Sequence, residues 1–116
     1  MSRLEPGAAI PDWACGELVA LVRTKGELSV VSSSDEVPDS VRCERGWRAL
    51  AVEGPLDFEL IGILASLARP LADAGVPIFS VSTFDTDYLL VREPDLRRAG
   101  EALTAAGHRL SGFEVA

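Results

Sequence analysis

From Trp47 to the C-terminus, the spacing of apolar residues switches between two and three-to-four, and few architectures accommodate that order. Trp47 to Glu53 sets Arg48, Leu50 and Val52 against smaller neighbours and stops at Gly54-Pro55, which predicts a strand followed by a turn. From Phe58 to Ala74 the residues Leu60, Ile63, Leu64, Leu67, Leu71 and Ala74 recur at helical spacing, with Gly75 as a left-handed stop and Pro70 expected to bend the last turn. Val76 to Ser82 and Tyr88 to Val91 are β-branched and aromatic, and the polar run Thr83-Phe84-Asp85-Thr86-Asp87 joins them as a hairpin turn. Pro94 and Asp95 open a second helix, carried by Leu96, Ala99, Leu103 and Ala106 and closed by Gly107. Arg109 to Val115 reads as a last strand interrupted at Gly112.

Strand, helix, strand, strand, helix, strand is the split βαβ order of ferredoxin-like folds, an α+β class. Each helix has one apolar face, so both are expected on one side of a four-stranded antiparallel sheet, and the other side needs a cover or a partner. Upstream, Leu18 to Thr24 and Leu28 to Ser32 read as strands joined by a Lys25-Gly26 turn, and Ser33 to Cys43 as a polar connection containing Pro38. With no long amphipathic helix, residues 1–45 either add strands to the sheet or form a degenerate second module, and residues 46–116 form the regular one.

A chain of 116 residues suits one hydrophobic core, and a hydrophobic share of 47% with 25% charged residues is that of a folding chain. The net charge of -7, with no basic cluster larger than Arg97-Arg98, repels phosphate backbones and argues against nucleic acid. Met1 to Pro11 lacks the apolar run of a signal peptide and no stretch suits a membrane span, so the expected location is the cytoplasm. Cys15 and Cys43, far apart in such a composition, are expected to be reduced structural thiols.

The inventory for catalysis is thin. The one histidine, His108, follows a helix-ending glycine and belongs to no recognisable nucleophile, phosphate-loop or zinc-ligand pattern. Asp57, Asp85 and Asp87 have the right chemistry for a hard cation but not the spacing of an EF-hand loop, so neither metal nor cofactor is expected. A better candidate is the pair of segments Glu53 to Ile63 and Ser82 to Val91. The first leads into a helix start, where free N–H groups and a partial positive charge suit a carboxylate, and Gly62 there lets a ligand approach the backbone. The second is the hairpin turn, whose carbonyls and Asp87 suit an ammonium or guanidinium group. Together they address the two charges of an amino acid; the alternative is that Gly62 permits close helix packing and Asp85 and Asp87 form the turn.

At these segments the chain resembles a known family. Gly46 to Glu93, and above all EGPLDF at Glu53–Phe58 and STFDTDYLLV at Ser82–Val91, is similar to small bacterial ACT-domain proteins, whose domain also occurs in an animal cytosolic arginine sensor and in the regulatory region of aspartate kinase. PDWA at Pro11–Ala14 and ELSVVSS at Glu27–Ser33 fit more loosely. The resemblance implies two ACT-like units per chain, the first degenerate, and an amino acid gripped between units. It assigns ligand contacts to Asp57, Leu60, Ile61, Gly62 and Ile63 at the helix start and to Thr83, Phe84 and Asp87 at the turn. Pro77 and Ile78 would contribute from the apposed unit, in a homodimer from the second chain. The expected function is that of a non-catalytic amino-acid sensor that regulates a separate partner. Its alternatives are a dimerisation protein with a vestigial ligand site and an enzyme using Cys15, Cys43 or His108.

Overall fold

The computed structural model describes residues 1–51 and 62–108. The chain divides into two compact units, Met1–Gly46 and Trp47–Ala116.

The first unit is a four-stranded antiparallel sheet of β1 (Ser2–Leu4), β2 (Ala20–Arg23), β3 (Leu28–Val31) and β4 (Arg42–Cys43), in the order β2-β3-β1-β4. The β2–β3 hairpin turns at Lys25-Gly26 as its sequence predicts. Thr24 closes it twice: its N–H donates to the Glu27 carbonyl at 2.9 Å, and its Oγ1 accepts from the N–H groups of Gly26 and Glu27 at 3.2 Å each. Along β3 the side chains alternate, so Leu28 and Val30 are buried while Ser29 and Val31 are half-buried on the other face. Val37 adds to this core from the connection between β3 and β4, where the Arg45 guanidinium donates to the carbonyls of Ser34 at 2.7 Å and Val37 at 3.0 Å. The polar connection is thus pinned, and the strands upstream of Trp47 make a sheet of their own rather than extending the next one. Residues 1–46 contain no α-helix. Strands β1 and β4, three and two residues long, are too short to show a period and are not legible in the sequence.

The second unit contains β5 (Trp47–Ala51), α1 (Ile63–Asp73), β6 (Ile78–Ser82), β7 (Asp87–Arg92) and α2 (Leu96–Ala105). Its described strands form an antiparallel sheet in the order β5-β7-β6. The expected fourth strand, Arg109 to Val115, lies outside the described residues, as do Val52 and Glu53 of the first strand and Phe58 to Ile61 of the expected first helix. Period two on β7 sends Leu89 and Val91 to the helix side, where they are buried with Leu71 and Val76 and with Leu96, Ala99 and Leu103 of α2. Leu50 and Ile78 join them from the flanking strands. On the opposite face Trp47 meets Phe79 edge-on at 4.7 Å between ring centroids, and the Arg92 guanidinium lies 4.7 Å from the Trp47 ring.

Both helices end in the same motif. Gly75 takes φ +73°, its N–H bonds the Ala72 carbonyl, and Val76 N–H reaches back to Leu71. Gly107 takes φ +91°, bonding Thr104, while His108 N–H reaches Leu103. These are paired Schellman stops, and in the first the accompanying apolar contact is Leu71 with Val76, both in the core.

Helix α1 continues through Pro70 to Asp73. Proline has no N–H, so the Ser66 carbonyl lacks the donor that position 70 would ordinarily supply. His108 takes its place: its Nε2–H donates to the Ser66 carbonyl at 2.9 Å, tying the exit of α2 to the middle of α1. Both the Nε2-protonated neutral ring and the imidazolium can make this bond. His108→Ala is therefore expected to cost about 1 kcal/mol, and less in a Pro70→Ala background, where the new N–H serves Ser66. A double-mutant cycle by urea unfolding checks this; an equal cost in both backgrounds would contradict the pairing.

Candidate functional site

The strand register fixes what lies at each end of the second sheet. Ala51 stands opposite Tyr88 and Trp47 opposite Arg92, so the chain leaves β5 at the end where β7 begins. β6 finishes at that end too, with Ser82 opposite Asp87. Helix α1 feeds through Ala74 to Pro77 into the start of β6, at the far end, so its Gly62 terminus runs back toward the end that carries the hairpin turn. Its eleven residues span about 16 Å, comparable with the strands beneath. The exit of β5, the turn and the start of α1 thus share one end of the unit.

Gly62 caps α1 with φ +81° and ψ 5°, in the left-handed region, and its carbonyl accepts from Ser66 N–H at 2.8 Å. A Cβ built at Gly62 would meet nothing within 4 Å, so close packing on the sheet is not why glycine stands here; the backbone conformation is. As the N-cap residue, Gly62 has no side-chain oxygen to offer the N–H groups of the first turn. Ile63 follows as the first helical residue.

The turn is tightly self-bonded. Thr83 N–H donates to the Thr86 carbonyl at 2.8 Å, the Thr83 hydroxyl donates to the same carbonyl at 3.1 Å, and Thr86 N–H donates to Thr83 Oγ1 at 3.1 Å. Phe84 stands at the tip with 81% of its surface exposed. Asp87 opens β7 half-buried, and its Oδ1 accepts from the Ser82 hydroxyl at 2.7 Å, which fixes the carboxylate. Ser82 is a residue the sequence reading did not single out; its position five before Asp87 across a four-residue turn is the signal that sets the two opposite each other.

Of the anticipated ligand contacts, Gly62, Ile63, Thr83, Phe84 and Asp87 belong to the elements at this end. Asp57, Leu60 and Ile61 lie outside the described residues. Pro77 and Ile78 are at the other end of β6, about 13 Å from Ser82 along the strand, with Pro77 exposed and Ile78 packed against the core. Within one unit they do not meet the turn. Among the described residues no three His, Cys, Asp or Glu side chains cluster to hold a metal ion, and no helix is long and apolar enough to cross a membrane. Cys15 is exposed, Cys43 is half-buried, and both are free thiols.

Comparison with known proteins bears on the same segments. The cytosolic arginine sensor for mTORC1 subunit 1 of Homo sapiens is 36% identical over 78 residues, covering 66% of this chain and 21% of that protein. Its Rattus norvegicus counterpart is 37% identical over 71 residues, 60% of this chain and 19% of that one. The chain therefore spans about a fifth of the length of these relatives. The X-ray crystal structure of protein Atu0741 from Agobacterium tumefaciens superposes with a TM-score of 0.89 at 44% identity, over 95% of this chain and 83% of that one. A family model described as an N-terminal domain matches residues 1–40. The ACT domain model matches residues 42–105, more than half of the sequence and every described element of the second unit, and the chain belongs to the ACT domain family.

Proposed function

We propose that this protein is a non-catalytic regulatory ACT protein that binds an amino acid at the end of the second unit where α1 starts and the β6–β7 turn sits. The observation that carries the reading is the strand register taken with the chain's connectivity, which directs the glycine-capped start of α1 and an acidic, self-braced turn to one end of the sheet. Backbone N–H groups at the helix start, those of Gly62 and Ile63, suit a carboxylate, and Asp87, held by Ser82, suits an ammonium or guanidinium. Asp57, Leu60 and Ile61 complete the helix-start side. The similarity to an arginine sensor supports an amino acid as the ligand class.

On the same reading the protein works as a homodimer in the cytoplasm. Pro77 and Ile78 of a second copy close the site, and residues 1–45 are a reduced counterpart of the ACT unit. Occupancy alters a partner only if the ligand favours one assembly state over another.

A thermal-shift screen over the common amino acids tests this. A ligand at ten times its dissociation constant should stabilise the protein by about 1.4 kcal/mol, and Asp87→Ala should remove that gain. Gly62→Glu is a poor probe, because any side chain at φ +81° strains the backbone whether or not a ligand binds there. If no amino acid at millimolar concentration moves the melting temperature, the domain is an interaction module and the sensing proposal fails.

A further inference from the structure

The outer face of the first sheet carries a groove of ≈ 230 Å³ whose walls include Arg3, Glu27, Ser29, Arg42 and Glu44. The register sets Arg3 between Arg42 on one side and Ser29 on the other, so two guanidiniums and a hydroxyl stand abreast across three strands. The alternate residues Ser2 and Val30 face the buried side. Like charges directly opposite in an antiparallel pair repel, and a chain of net charge -7 has ample acid to place there instead.

The two arginines are only partly satisfied. Arg3 donates from Nη2 to the Gly26 carbonyl at 3.1 Å, and its Nε lies 3.9 Å from Glu27 Oε2, beyond hydrogen-bond distance. The Ser29 hydroxyl donates to Glu27 Oε1. Arg42 is exposed, and among the described residues nothing forms a hydrogen bond or ion pair with its guanidinium.

We infer that this groove binds a small dianion, a phosphate or a dicarboxylate, with Arg42 and Arg3 as its paired donors. The ligand class follows from the paired guanidiniums: Arg3 and Arg42, side by side across β1 and β4, offer donors that a ligand with several anionic oxygens can engage together, whereas Glu27 and Glu44 oppose an anion that meets only one of them. Glu27 competes for Arg3 from inside the protein and acts as a placeholder for the ligand. The site lies wholly within residues 1–46 and does not depend on the amino-acid site proposed above.

Isothermal titration of the full chain with inorganic phosphate, and separately with succinate, tests this at an ionic strength held constant with sodium chloride. Saturable binding of either is expected, phosphate alone indicating a phosphoryl ligand and succinate alone a dicarboxylate. Arg42→Ala should weaken binding about tenfold with an unchanged circular dichroism spectrum. Arg42→Lys should recover part of the loss, and Glu27→Gln should tighten binding. No saturable heat with either anion, or unaltered binding in Arg42→Ala, would overturn the assignment.

Discussion

Leu71→Ala is expected to lower the stability of the protein by about 2–5 kcal/mol. Leu71 is fully buried, facing Leu89 and Val91 of the central strand and the apolar face of α2. It also provides the carbonyl that Val76 N–H bonds in the helix stop, with the two side chains in the same core. Truncation thus opens a cavity at the junction of both helices and the sheet and removes the apolar contact that steers the chain into β6. Urea unfolding should show a lower midpoint at unchanged slope. Leu64→Ala on the same helix, at a position 36% exposed, should stay within about 0.5 kcal/mol. Equal effects at the two sites would mean that α1 does not pack as described.

The second large effect concerns backbone conformation rather than packing. Gly75→Ala and Gly107→Ala should each cost about 1–2 kcal/mol, because both glycines hold left-handed φ values where a Cβ crowds its own carbonyl. Neither loss is steric in the ordinary sense, since a Cβ at either position would meet nothing within 4 Å. Gly7 is equally open but has no positive φ, so Gly7→Ala should be neutral or slightly stabilising through the unfolded chain. Thermal denaturation of the three variants gives opposite signs if conformation is the cause and similar values if it is not.

These residues also show how far the fold can be read from the chain. Helix α1 is legible because Ile63, Leu67, Leu71 and Ala74 keep one face and Gly75 stops it, and the structure ends the helix at Asp73 with Gly75 in the left-handed region. The β6–β7 hairpin is legible for a similar reason, its β-branched runs flanking a polar turn. The first unit is harder. β1 runs between β3 and β4 with three residues, and no local pattern records a pairing that spans about forty positions. Of the candidate site, the residue types and the shared end of the sheet follow from the order of elements. The Ser82–Asp87 bond, the left-handed Gly62 and the His108–Ser66 bond do not, because each depends on a dihedral or a tertiary contact that periodicity leaves free.

Strand β7 pairs along both flanks, with β5 on one side and β6 on the other. A slip of one residue would turn Leu89 and Val91 outward and bring Tyr88 and Leu90 against the helices, so the core locks the strand lengthwise. Asp87 and the loop before it inherit that lock. A molecule docking against them would meet groups already in position and surrender little entropy to arranging them, so few contacts would suffice to hold it.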